Sequence, residues 1–180
     1  MLEDKLLLWK FKHGSSGALE RIYDKYETYL ITVATALLNN GHDAEEVLHD
    51  FFISFVKSAD KISLNGNLKA YLATCVANLA RNRITRRQLE PTALNENDPI
   101  ASSVLQPDLL AIQEEKTVIL NHAMSQLPYE QREIIVLHVQ ANLKFAQIAE
   151  LRSTSVNTIR SRYRYGLDKL RSLLNSEVAL

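Results

Sequence analysis

Residues that interrupt helices or cross-link a chain are scarce in this sequence. Only five glycines and four prolines occur among 180 residues, which favours helices over a turn-rich β fold. The single cysteine, Cys75, excludes an intramolecular disulfide framework and is typical of a reducing compartment. The apolar run within MLEDKLLLWKFKHG is short and follows two acidic residues, so it predicts neither a signal peptide nor a membrane span. We therefore expect a cytoplasmic protein without a membrane partner.

The residue patterns of common catalytic and cofactor sites are also lacking. The sequence has no Gly-rich phosphate loop, no Ser/His/Asp set and no Cys/His spacing typical of zinc. Glu46 and His49 form an E-x-x-H pattern, which is half of a carboxylate-bridged metal site, but no second copy occurs. We therefore expect no enzymatic activity, no cofactor or metal, and no small-molecule substrate.

Charge of one sign is not in excess overall, but it is strongly segregated along the chain. Residues 1–60 contain six basic and ten acidic residues, and residues 61–90 contain six basic residues and one acidic residue. Residues 91–140 contain two basic and seven acidic residues, and residues 141–180 contain seven basic and three acidic residues. Two acidic blocks thus alternate with two basic blocks, which indicates separate surfaces for different partners.

Helical periodicity predicts an all-α fold of two small domains. We expect helices from Leu2 to near Gly14, over 18–38, over 42–60 and from Leu68 to about Gln88, with NNG (39–41) ending the second. Residues 91–108, which contain three prolines, predict a linker between a domain at 1–90 and another at 109–180. In the second domain we expect a helix near 109–125, and another that has Pro128 at its first position and buries Ile134, Ile135 and Leu137.

The stretch LKFAQIAELRSTSVNTIRSRYRYGLDKLR (143–171) predicts a helix-turn-helix. Ser153 occupies the turn position that is often glycine, so we expect it to adopt a left-handed conformation. Thr154 or Ser155 is a suitable N-cap for the second helix. Arg152 and Arg162 lie to its sides and suit phosphates. The outward face of this helix, which suits base edges in a major groove, is predicted to contain Asn157, Arg160, Ser161, Arg164 and Tyr165. A basic, solvated helix is the alternative.

The other basic block predicts a surface for single-stranded nucleic acid. Basic side chains beside amides and an aromatic ring suit unstacked bases and their phosphates. Cations at a helix C-terminus also complement the helix dipole, but that explanation accounts for only two or three of them. The cluster contains Asn65, Asn67, Lys69, Tyr71, Asn78, Arg81, Asn82, Arg83, Arg86 and Arg87.

The order of these parts resembles a bacterial RNA polymerase sigma factor of the sigma-70 family, in its extracytoplasmic-function class. HDAEEVLHDFFISFV is similar to the D-A-E-D-hydrophobic-x-Q-[ED]-x-F helix of that family, and AYLATCVANLARNRITRR to its W-L-x-x-I-A-x-N-x-x-x-D-x-x-R-R helix. FAQIAELRSTSVNTIRSR resembles the I-A-x-x-L-G-x-S-x-x-T-V-K-S-R pattern. The chain departs from these patterns at His49, Tyr71, Asn82 and Ser153.

The resemblance implies binding to core RNA polymerase and promoter DNA, with an anti-sigma factor as a further potential partner. It implies that the minus-thirty-five element is contacted by Ser155, Asn157, Thr158, Arg160, Ser161, Arg164 and Tyr165. It implies minus-ten contacts by Asn65, Asn67, Lys69, Tyr71, Asn78, Asn82, Arg83, Arg86 and Arg87. Polymerase contacts are implied for Asp43, Glu45, Glu46, His49, Asp50 and Phe52. Two alternatives stay open: a helix-turn-helix regulator with a helical sensing domain that acts without core polymerase, and a structural helical adaptor.

Overall fold

The computed structural model describes residues 2–62, 67–89 and 109–178, and within these ranges its regular structure is helical. The predicted all-α fold is confirmed. The chain divides into two compact units, Met1–Asn95 and Glu96–Leu180. The linker expected at 91–108 lies outside the described residues. The first unit contains α1 (Leu2–Lys12), α2 (Ser16–Leu38), α3 (Gly41–Lys57) and α4 (Leu68–Leu89); the second contains α5 (Leu109–Ser125), α6 (Tyr129–Val139), α7 (Phe145–Leu151) and α8 (Val156–Val178).

Helix α2 is the centre of the first unit and packs against α1, α3 and α4. Ile22, Leu30 and Leu37 on its inner side have no exposed surface. Burying side chains of this size stabilises the fold by about 1.5–3 kcal/mol each. Between the flanking helices, Phe11 of α1 stacks on Phe55 of α3 with ring centroids 4.8 Å apart. The first unit thus has a core of its own.

Helix α3 begins at Gly41, one residue before the predicted start, and ends earlier than predicted. Asn39 has a left-handed φ of 53° at the predicted end of α2, and the side-chain oxygen of Asn40 accepts a hydrogen bond from the Asp43 N–H at 2.9 Å. The helix was expected to extend to residue 60. It ends at Lys57, because the Ser58 hydroxyl donates to the Ser54 carbonyl at 2.7 Å and the chain then forms the 3-10 helix Ala59–Lys61.

Helix α8 packs against α5, α6 and α7 in the second unit. Ile148 of α7 and Ile159 of α8 have no exposed surface. The predicted burial of Ile134, Ile135 and Leu137 is confirmed. Helix α6 begins at Tyr129, one residue after the predicted start at Pro128. The core of this unit therefore fixes the inner side of the helix-turn-helix and leaves its other side at the surface.

Candidate nucleic-acid interfaces

The turn between α7 and α8 closes without a glycine. Arg152 follows the end of α7, and Ser153 has a left-handed φ of 48°. The Thr154 N–H donates to the Ala149 carbonyl at 2.9 Å, and the Ser153 N–H donates to the Glu150 carbonyl at 3.1 Å. This pair of bonds is the one that closes a helix on a left-handed residue, where glycine is usual. The predicted left-handed conformation of Ser153 is confirmed.

Side chains cap both helices of the motif. The Ser155 hydroxyl accepts a hydrogen bond from the Thr158 N–H at 3.0 Å, so Ser155 is the N-cap of α8. Its oxygen also lies 2.8 Å from the Thr158 hydroxyl. At the start of α7, where Lys144 has no short polar side chain, the Gln147 side-chain oxygen accepts from the Lys144 N–H at 2.9 Å. Two candidate DNA contacts, Ser155 and Thr158, therefore also fix the start of α8.

The outward side of α8 contains the residues expected there. Ile159 is fully buried, while Thr158 and Arg162 are half-buried at the edges of the helix. The Arg164 guanidinium lies 5.1 Å from the centre of the Tyr165 ring. By helical geometry the five residues expected there occupy an arc of about 140°. All five are exposed, namely Asn157, Arg160, Ser161, Arg164 and Tyr165. The acid Asp168 is exposed within the same arc, further along the helix.

Helix α8 packs closely on α6 at Gly166, which is buried. A Cβ atom on Gly166 would lie 3.0 Å from Cδ1 of Ile135 and 3.1 Å from Cβ of Gln131. The absence of a side chain at Gly166 therefore sets the distance between the two helices.

Arg152 does not have the position expected for a phosphate contact. Its side chain is 11% exposed, and its Nη2 atom lies 2.7 Å from the Glu133 carboxylate, which is 1% exposed. A buried carboxylate needs such a partner, because an unpaired charge inside a protein is strongly unfavourable. The guanidinium thus pairs with α6 instead of reaching outward, which corrects the expectation.

The start of α4 contains three of the expected contacts with single-stranded DNA. The Asn67 side-chain oxygen accepts a hydrogen bond from the Lys69 N–H at 2.9 Å and so helps to cap the helix. The Lys69 ammonium lies 4.2 Å from the centre of the Tyr29 ring, a cation–π contact with α2 that the sequence did not indicate. Tyr71 is half-buried, and burial raises its pKa to about 12. Asn65 lies outside the described residues.

The far end of α4 has a divided role. Asn78, Asn82 and Arg86 are exposed, as expected for nucleic-acid contacts. Arg83 and Arg87 instead point to α3, with their Nη2 atoms 3.0 Å and 2.8 Å from Oδ1 of Asp43.

Asp43, expected to contact polymerase, has no exposed surface. Its Oδ2 atom lies 2.5 Å from Nη1 of Arg87, and Arg83 also pairs with Glu46. The carboxylate of Asp43 is therefore used within the unit, which corrects its expected position on the exposed side of α3. Arg83 and Arg87 are paired with these carboxylates, but their side chains stay 31% and 54% exposed, so their contact with DNA stays a prediction.

The exposed side of α3 is acidic near its start and apolar near its end. Glu45, His49 and Asp50 are exposed, and they line a surface depression together with His42, Glu46 and Arg83. Phe52 is half-buried and packs on Tyr23 with ring centroids 4.8 Å apart. Ile53 and Val56 are 41% and 46% exposed and continue this side, although they were not among the predicted polymerase contacts. The sequence signal that could have identified them is that α3 has more apolar residues than its buried side needs.

The ranges that the structure describes contain neither a cluster suited to a metal ion nor a helix suited to crossing a membrane. No group of three or more His, Cys, Asp or Glu side chains there has an arrangement that could hold a metal ion. None of the helices in those ranges is both long and apolar enough to cross a membrane.

Comparison with known proteins relates both units to one family. Residues 22–90 match the model of sigma-70 region 2, and residues 117–170 match the model of sigma-70 region 4. The ECF RNA polymerase sigma factor SigW of Bacillus subtilis is 23% identical over 172 residues, which cover 91% of this chain and 92% of SigW. The RNA polymerase sigma factor CarQ of Myxococcus xanthus is 25% identical over 168 residues, covering 92% and 94%.

Solved structures share the fold. CnrH in complex with the cytosolic domain of CnrY aligns with a TM-score of 0.67 at 19% identity, covering 96% of this chain and 97% of CnrH. The sigma factor RpoE from Bartonella quintana, in complex with the anti-sigma factor NepR, aligns with a TM-score of 0.65 at 22% identity, covering 87% and 98%.

Proposed function

This chain belongs to the sigma-70 family of RNA polymerase sigma factors, in its extracytoplasmic-function class. We propose that three separate exposed surfaces contact core polymerase and the two promoter elements. As a sigma factor it binds core RNA polymerase and directs promoter recognition, DNA opening and transcription initiation, and it is not an enzyme. The observation that carries this function is the match to region 2 and region 4, in that order, on separate helical units. We assign the surfaces to α8, α4 and α3.

The α8 surface, defined by Asn157, Arg160, Ser161, Arg164 and Tyr165, contacts the minus-thirty-five element. A major groove admits one α-helix, and arginine can donate two hydrogen bonds to a guanine edge. Support comes from the exposure of both Arg160 and Arg164 on one side of a helix whose start is capped by Ser155. Ser155 and Thr158, at the N-terminus, suit a backbone phosphate.

The α4 surface captures the unpaired non-template strand of the minus-ten element. We define it by Asn67, Lys69, Tyr71, Asn78, Asn82 and Arg86, and we include Asn65 on the basis of the sequence. Stacking on an aromatic ring stabilises an unstacked base by about 1–3 kcal/mol. Because Arg83 and Arg87 pair with Asp43, less positive charge is available to DNA than the sequence suggests. The free factor should therefore bind DNA weakly, since affinity depends on the number of neutralised phosphates.

The α3 surface, defined by Glu45, Glu46, His49, Asp50, Phe52, Ile53 and Val56, binds core polymerase. Support comes from its composition, with acidic groups beside exposed apolar side chains, since protein interfaces combine an apolar centre with a polar rim. The acidic groups would also repel DNA, which keeps this surface available for a protein.

We further propose that the protein acts in the cytoplasm, that its domains extend over 1–90 and 109–180 with a linker at 91–108, and that an anti-sigma factor controls it. Two related folds, CnrH and RpoE, were solved with bound partners, and the partner of RpoE is named an anti-sigma factor. A helix-turn-helix regulator that acts without polymerase is not favoured, because the first unit matches sigma-70 region 2.

Run-off transcription with purified core polymerase tests this function. The wild-type protein should direct initiation from a cognate promoter, whereas a regulator would bind duplex DNA specifically by itself. For the α3 surface, we expect the Glu45→Lys/Asp50→Lys variant to bind core polymerase at least about tenfold more weakly, because reversed charges at an interface meet like charges. Glu20→Lys/Asp24→Lys, at two exposed acids of α2, is the matched control. Equal binding by both variants would place the polymerase contact elsewhere.

A further inference from the structure

The second unit contains a buried ion pair beside the turn of the helix-turn-helix, although residues near a turn are usually exposed to water. Glu133 of α6 is 1% exposed, and its carboxylate lies 2.7 Å from the Arg152 guanidinium. The Tyr129 hydroxyl donates to the same carboxylate at 3.1 Å. Taking two charges out of water is costly, so a buried ion pair adds little net stability. In several known proteins such a pair instead selects one geometry of the fold.

The adjacent turn contains a left-handed residue that is not glycine. Among the described residues, three non-glycine residues have a positive φ: Asn39, Asn142 and, in this turn, Ser153. Asparagine adopts the left-handed region more readily than other residues do, whereas serine has no such preference. Arg152 is the C-cap of α7 and directly precedes Ser153. The buried pair therefore attaches the turn to α6 at the strained position.

We propose that Arg152 is a positioning residue for promoter recognition: its ion pair with Glu133 holds the glycine-free turn and thereby sets the direction of α8. The inference rests on the proposed function of the α8 surface and deepens it. Several contacts join the helix-turn-helix to α6. The His138 ring of α6 lies 4.3 Å from the Phe145 ring of α7 and 5.0 Å from the Tyr163 ring of α8, and Gly166 allows a close approach in the middle of α8. Arg152 adds the attachment at the turn itself, where the direction of the chain into α8 is set.

A direct contact between Arg152 and DNA does not fit the geometry. Its side chain is 11% exposed, and moving the guanidinium to a phosphate would leave the Glu133 carboxylate buried without its counter-charge. Leucine at position 152 alone would likewise leave the Glu133 carboxylate buried without its counter-charge, so Glu133→Gln accompanies every Arg152→Leu change in the experiment and only the link between the turn and α6 is lost. Arg152 therefore acts through the orientation of α8, which makes preference among promoters the informative measurement.

The experiment uses holoenzyme reconstituted with each variant and a library of minus-thirty-five sequences. We expect Arg152→Leu to reduce discrimination between cognate and mismatched elements about tenfold, within the range that one mismatched base pair accounts for. Adding Ser153→Gly should restore the preference, because glycine adopts the left-handed turn without strain and so no longer needs the attachment. Arg171→Leu removes a cation from an exposed position of α8 and should leave the preference unchanged.

Each outcome decides the matter. If Arg152→Leu keeps wild-type preference, or loses activity equally on all promoters while folded, Arg152 does not position α8. If the variant with added Ser153→Gly is as impaired as Arg152→Leu, the effect does not pass through the turn, and the proposal is equally overturned. If Arg152→Leu unfolds but the variant with added Ser153→Gly folds and retains preference, the proposal stands. Failure of the wild-type holoenzyme to transcribe would instead refute the proposed function itself.

Discussion

Replacing Asp43 with asparagine removes one negative charge from the first unit while keeping the side chain the same size. Asp43 has no exposed surface, and its two oxygens are contacted by Arg83 and Arg87 at 2.5–3.2 Å. Removing one partner of a buried ion pair costs about 3–5 kcal/mol in other proteins. Here the arginine side chains are 31% and 54% exposed, so water can partly solvate them once the carboxylate is gone. We therefore expect a smaller loss in the free energy of unfolding, about 2–3 kcal/mol.

Urea denaturation of the full chain, followed by tryptophan fluorescence, measures this loss in the correct unit. Trp9 is the single tryptophan of the sequence and lies on α1, so its signal reports the first unit. With a slope of roughly 1 kcal/mol per molar urea, the midpoint should fall by about 2–3 M. Asp50→Asn, at an exposed acid of the same helix, is the control and should change the free energy by less than about 0.5 kcal/mol. Equal midpoints for the two variants would refute the assigned role of Asp43.

Two further substitutions test the second unit. Gly166→Ala should lower the melting temperature measured by circular dichroism: overpacking against Ile135 costs about 1–3 kcal/mol, while the better helix propensity of alanine returns only about 1 kcal/mol. A variant more stable than the wild type would contradict this expectation, because it would show that Ile135 and α6 accommodate the added methyl group at little cost. Arg160→Ala should relax preference at one base pair of a minus-thirty-five library, at a cost of about 1–3 kcal/mol, whereas Arg162→Ala, at a half-buried residue, should leave preference unaltered. The reverse result would exchange the assigned sides of α8.

Local features of the motif were predictable because they depend on neighbours in the sequence. The left-handed Ser153 follows from a turn of fixed length between two amphipathic helices, and the Ser155 cap from a hydroxyl placed just before an apolar repeat. The exposed side of α8 follows from the spacing of Ile159 and Gly166, which mark the inner side. In each case the deciding interactions span only a few residues.

The ion pairs were not predictable in this way. Asp43 occupies the first turn of α3, where an acid near the helix N-terminus needs no further explanation. Its partners, Arg83 and Arg87, are 40 and 44 residues away and fit equally well on a DNA-binding surface. Periodicity identifies which side of a helix is apolar, but it does not indicate which polar side chain meets a neighbouring helix. The same applies to Arg152 and Glu133.

The sequence by itself determined the helices, the family and the inner side of α8, because hydrophobic spacing and capping residues act over one or two turns of chain. Only the tertiary structure decided which charges remain available to partners. Packing α3 against α4 buries Asp43 and pairs it with two arginines that stay partly exposed, and packing α7 against α6 withdraws Arg152 from DNA. The physical reason is that a buried carboxylate must be neutralised by whichever cation the fold brings near it, so the charges left at the surface depend on packing.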